Sequence, residues 1–121
     1  GKIYAVCHYL HTHYREEISL SSLAAAFFMS PYYLSRRFRE VTGYTVTRYL
    51  QLTRVRNAQV LLLHSDRSIT AVAEEAGFSS FSQFNRVFRS VCGIPPSAYR
   101  QKGREETGSS GPYGAQGSFP A

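Results

Sequence analysis

Tryptophan is absent, and only two cysteines and one methionine occur in 121 residues. Cys7 and Cys92 alone cannot build the disulfide framework of a small secreted domain, which fits a reducing, cytoplasmic setting. No apolar run approaches the ~18 residues that span a bilayer, and no secretory core is visible, so no membrane partner is expected. Acidic residues are scarce: eight stand against fourteen Lys and Arg, for a net charge of +6 and a pI near 9.6. Such a balance favours an acidic partner. No Gly-rich phosphate loop is present, and no elbow links Ser, His and Asp into a triad. His8, His11 and His13 stand near Cys7, but Cys7 belongs to an apolar stripe with Leu10, so the spacing suits a metal poorly. The expectation is a chain that is no enzyme and holds no cofactor or metal.

What is present is arginine and a repeat. Twelve of the fourteen basic residues are Arg, the better fork for phosphate and guanine. Arg36, Phe38, Arg39, Val41 and Gly43 recur fifty residues later as Arg86, Phe88, Arg89, Val91 and Gly93. Ser30 and Ser80 keep that offset, whereas Leu23-Ala24 recurs as Val72-Ala73, shifted by one. One supersecondary unit is therefore used twice. Because the shared positions include outward Arg as well as core Phe and Val, the surface is repeated along with the core.

Helical periodicity runs through most of the chain. Ile3, Val6, Cys7, Leu10 and Tyr14 form one apolar stripe. Ser19 can cap a second helix with Leu20, Leu23, Ala24 and Phe27 inward. Ser30-Pro31 opens a third, with Leu34, Phe38 and Val41 inward and Gly43 as its stop. Thr45 can cap a helix of about 20 residues running to His64, roughly 30 Å long. Ser68 caps a short helix ending at Gly77. Ser79 or Ser80 opens the next, with Phe84, Phe88 and Val91 inward, and the spacing of Phe81 also assigns it to the core. Pro95-Pro96 opens a last short helix through Tyr99. The pattern predicts an all-α fold of seven helices: two helix-turn-helix subdomains joined by a long linker helix. The boundaries are 1–102 for this domain, with motifs at about 20–43 and 68–92 and the linker at about 45–64. Residues 103–121 hold five Gly and two Pro and read as a disordered Gly/Ser-rich tail.

The stretch Ile69-Thr70-Ala71-Val72-Ala73-Glu74-Glu75-Ala76-Gly77-Phe78, then Phe84, Arg86 and Phe88, then Gly93-Ile94-Pro95-Pro96-Ser97-Ala98-Tyr99-Arg100, resembles the signature of AraC/XylS-type transcriptional regulators. Leu23-Ala24, Met29-Ser30-Pro31, Leu34, Phe38 and Thr42-Gly43 resemble the first motif of that domain. Tyr49-Leu50, Arg54, Ala58 and Leu61-Leu62 look like its linker helix. The resemblance covers about 3–101. Phe28 departs from it, standing where the first turn often carries a small residue such as Gly. If that position needs φ > 0, Phe is costly and the first turn is expected to be distorted.

The resemblance implies sequence-specific binding of double-stranded DNA by a bacterial regulator. It places Tyr32, Ser35, Arg36, Ser82, Gln83 and Arg86 at base-reading positions. Arg36 and Arg86 are typed for guanine O6 and N7, and Gln83 for adenine. Arg37, Arg39 and Arg89 lie to the side and suit phosphate, as do the helix amides near Thr45. A stiff linker would hold the readers roughly 34 Å apart, one turn of DNA. RNA polymerase is a further expected partner, and a missing N-terminal effector or dimerisation domain is expected upstream of Gly1. Outward Arg is often only solvated; Arg39 could instead pair with Glu40 or with another helix, and Arg54, mid-linker, suits a structural ion pair. The rival readings are a sequence-blind architectural DNA binder, a helical protein-interaction module, and a DNA-binding appendage of a larger enzyme.

Overall fold

The computed structural model describes residues 1–110. Seven helices and no strand occur among them: α1 (Lys2–His13), α2 (Leu20–Ala26), α3 (Pro31–Thr42), α4 (Val46–His64), α5 (Ile69–Glu75), α6 (Phe81–Cys92) and α7 (Pro96–Ser110). They form two compact units, Gly1–Thr53 and a second that begins at Arg54, so the boundary falls inside α4. No helix among the described residues is long and apolar enough to cross a membrane.

In the first unit, local chemistry sets each helix start. Ser19 accepts from the Ser22 amide, and Ser22 returns the bond to the Ser19 amide, a capping box on α2. Ser30 accepts from the Tyr33 amide ahead of Pro31. Thr45 accepts from the Arg48 amide at the head of α4. These caps fix where the apolar faces begin. Ile3, Val6, Leu10, Leu23, Ala24, Leu34, Phe38, Val46 and Leu50 then close one core. Phe38 is fully buried and meets Tyr49 edge-on, with ring centroids 5.3 Å apart. Burying such a side chain stabilises by roughly 1.5–3 kcal/mol. Leu20, expected inward, lies on the exposed side of α2.

The second unit repeats the logic. Ser68 caps α5 and Ser80, rather than Ser79, caps α6 through the Gln83 amide. Val55, Ala58, Leu62, Val72, Ala73, Ala76, Phe84, Val87, Phe88 and Tyr99 form its core. Phe78, Phe84, Phe88 and Tyr99 make a chain of ring contacts with centroids 5.0 to 5.6 Å apart. Gly43 and Gly93 end α3 and α6 in the left-handed region, at φ 82° and 81°.

The last helix does not stop at Tyr99; α7 continues to Ser110, so residues 103–110 are helical rather than a disordered tail. Two side chains hold it down. Arg100 Nε donates to the Leu62 carbonyl at 3.0 Å, and Arg104 Nη2 donates to the Ser65 carbonyl at 3.2 Å and to Asp66 at 2.7 Å. Gly103 is buried against the end of the Leu63 side chain, which would have to shift to admit a Cβ there. The rest of the expected tail, 111–121, lies outside the described residues. Phe81, expected in the core, lies outside it. It is the first residue of α6, past the edge of the core, and is 46% exposed.

Candidate nucleic-acid interface

Each helix-turn-helix closes its turn by the same two bonds. In the first, the Phe28 and Met29 amides donate to the Ala25 and Ala24 carbonyls at 3.2 and 2.9 Å. In the second, the Gly77 and Phe78 amides donate to the Glu74 and Ala73 carbonyls at 3.1 and 3.0 Å. These are Schellman closures, which require a left-handed residue at the turn. Gly77 supplies it at φ 95° and Phe28 at φ 57°. The expected distortion of the first turn is therefore absent: the hydrogen bonds are kept and Phe28 carries the conformational cost.

With both turns closed, α3 and α6 present equivalent faces. Leu34 and Phe38 bury one side of α3; Phe84, Val87 and Phe88 bury one side of α6. Tyr32, Arg36 and Arg39 then share the opposite side of α3 at helical spacing, as Ser82, Arg86 and Arg89 do on α6. All six are exposed, and so is Ser35. Tyr32 is 76% exposed and Tyr33 is 43% exposed, so Tyr32 is the one that stands clear of the core. The Arg36 guanidinium lies over the Tyr32 ring, 5.8 Å from its centroid.

Other site candidates have intramolecular bonds. Arg37, not Arg39, pairs with Glu40, at 3.4 Å. The Thr45 hydroxyl is engaged as the α4 cap. Gln83 is half-buried, and its Oε1 accepts from both the Ser79 amide, at 3.1 Å, and the Ser79 hydroxyl, at 2.9 Å. Sequence reasoning passed over that clasp. Its signal was the repeat offset, which is 49 from Met29 to Phe78 but 50 from Ser30 to Ser80; Ser79 is the extra residue. Arg54 is half-buried within α4, and burial lowers its pKa. The histidines of α1 have structural contacts: His11 Nε2 bonds Tyr49 Oη at 2.8 Å, and His13 stacks on Tyr9. Among the described residues, no group of three or more His, Cys, Asp or Glu could hold a metal ion.

A sequence profile described as a helix-turn-helix domain matches residues 23–102, both motifs and the helix between them. The chain belongs to the AraC/XylS-type family. This AraC/XylS-type chain is thus a DNA-binding domain of transcriptional regulators. It is 34% identical over 107 residues to the regulatory protein PocR of Salmonella typhimurium, covering 88% of this chain and 35% of that protein. A transcriptional regulator of Staphylococcus aureus is 35% identical over 99 residues, 82% of this chain and 13% of its own length. The chain therefore spans about a third or less of these relatives. Among solved structures, the DNA-binding domain of the transcriptional factor AdpA, determined with a target DNA, superposes with a TM-score of 0.82. It is 36% identical, and the match covers 85% of this AraC/XylS-type chain and 93% of that domain. The C-terminal domain of AraT, a response regulator from Geobacillus stearothermophilus, gives a TM-score of 0.80 at 28% identity, covering 83% of this chain and 84% of that one.

Proposed function

We propose that this domain recognises a specific duplex sequence by placing α3 and α6 in major grooves. One observation carries the reading: Arg36 and Arg86 stand exposed at the same position of two equivalent helices, each opened by a capping Ser. The early residues of the second helix of such a motif meet base edges, and Arg there is built for guanine O6 and N7. Tyr32, Ser35 and Arg36 are the readers assigned to α3, and Ser82, Gln83 and Arg86 those assigned to α6. Arg39 and Arg89 flank them and suit phosphate. Arg37 would exchange Glu40 for phosphate, and the first amides of α4, after Thr45, offer a helix N-terminus to another.

The domain binds rather than catalyses in this reading, and it acts in the cytoplasm as part of a longer bacterial regulator. The short share of its relatives that it spans supports a further effector or dimerisation domain, and RNA polymerase is the partner such a regulator addresses. Selection of bound sites from a random duplex pool tests the reading, followed by footprinting of the selected site with the isolated chain. The expected result is a defined site with two protected major-groove patches about one turn apart. Equal affinity for selected and random duplex at fixed salt would instead describe a sequence-blind binder.

A further inference from the structure

The clasp between Ser79 and Gln83 changes what Gln83 can read. A glutamine that reads adenine uses both ends of its amide: the oxygen accepts from adenine N6, and the nitrogen donates to N7. Here the oxygen is already occupied. The Ser79 backbone N–H can only donate, so the atom facing it at 3.1 Å is the amide oxygen and the amide cannot be turned over. The Ser79 hydroxyl donates to the same oxygen at 2.9 Å. An amide oxygen has two lone pairs, and both are used. The end left for a ligand is the NH2 group, a donor alone.

We infer that Ser79 is a positioning residue that turns Gln83 into a donor-only reader, selecting guanine over adenine at its base pair. Guanine presents two adjacent acceptors, O6 and N7, to the two hydrogens of that amine, whereas adenine sets a donor beside its acceptor. The inference rests on α6 being a reading helix. It also separates the two motifs. Tyr33 occupies the position in α3 that Gln83 occupies in α6, and the first turn, one residue shorter, has no counterpart of Ser79.

The test uses the selected duplex, all its single-base variants, and the wild-type chain beside Gln83→Ala and Ser79→Ala. Gln83→Ala should flatten the preference at one base pair, where the wild type prefers guanine. Replacing that guanine by 7-deazaguanine should weaken wild-type binding about fivefold, the worth of one hydrogen bond. Ser79→Ala frees one lone pair, so it should raise the relative affinity for adenine at that pair while leaving the melting temperature within a few degrees. Three outcomes would overturn the proposal: an adenine preference that vanishes when unsubstituted purine replaces adenine, a Ser79→Ala profile identical to wild type, or a Gln83→Ala chain with every base preference intact. A wild-type chain with no base preference anywhere defeats the reading-helix proposal itself, and this inference with it.

Discussion

Phe28 and Gly77 hold the same place in their two turns, both left-handed, at φ 57° and 95°. One is a residue for which that conformation is strained, the other a residue for which it is free. Phe28 is 93% exposed, so no buried contact compensates the strain. Phe28→Gly should therefore stabilise the first unit, by about 0.5–1 kcal/mol once the larger chain entropy of glycine is subtracted. Gly77→Phe should destabilise the second by about 0.5–1 kcal/mol, by the same subtraction. Urea unfolding of both variants measures this, and a destabilised Phe28→Gly would show that Phe28 has a role beyond the turn.

Arg36→Ala and Arg86→Ala should each cost about 1–3 kcal/mol of binding and relax preference at one base pair. Titration against the selected duplex and its single-base variants distinguishes this from a phosphate contact. A phosphate contact would weaken every sequence equally and make the salt slope shallower by about 1. Loss of neither affinity nor preference in either variant would return both residues to solvated helix faces.

Binding should fall steeply with salt, because neutralised phosphates release counterions. With ~6 phosphates engaged, log K against log salt should have a slope near −5. Titrations at several salt concentrations give this directly, and a flat line would exclude duplex DNA as the main partner.

Arg100 is expected to matter for stability rather than binding. Its guanidinium donates to the Leu62 carbonyl at the open end of α4 and to the Ser65 carbonyl, which Arg104 also reaches. Arg100→Met should cost about 1–2 kcal/mol in urea unfolding. The more exposed pair of Arg104 with Asp66 should be worth less than ~1 kcal/mol. Equal small effects would mean that α7 is held by its apolar contacts alone.

Burial pushes the Cys92 thiol up from 9.0 to about 11, against the smaller opposing effect of a hydrogen bond from Gln59 Nε2. The folded pKa lies above the unfolded one, so the contribution is complete below about pH 9 and lost as pH rises through about 11. Alkylation of Cys92 by iodoacetamide at pH 8 should be slow in the folded chain and fast in urea. Wild-type stability should fall more between pH 9 and 11 than that of Cys92→Ala. Parallel curves for the two would show that the thiol stays neutral or titrates alike in both states.

The capped helix starts, the glycine stops at Gly43 and Gly93, and the repeat of α3 as α6 were legible in the sequence by itself. They depend on interactions within about four residues: Ser30 with the Tyr33 amide, Ser80 with the Gln83 amide, and glycines that only the left-handed region accommodates. The placement of Arg36 and Arg86 follows from the same short periodicity. Tertiary structure decided the rest. Gly103 reads as a breaker locally, yet it lies in a helix that packs on Leu63 and whose Arg100 and Arg104 side chains reach back to the end of α4. Phe81 has core spacing but sits one turn beyond where the core ends. Gln83 is an intermediate case: Ser79 is only four residues away and the repeat offset marks it as an extra residue, but which end of the amide it holds is set by the geometry of the turn. Contacts across more than thirty residues depend on what surrounds them after folding; no local rule of spacing contains that information.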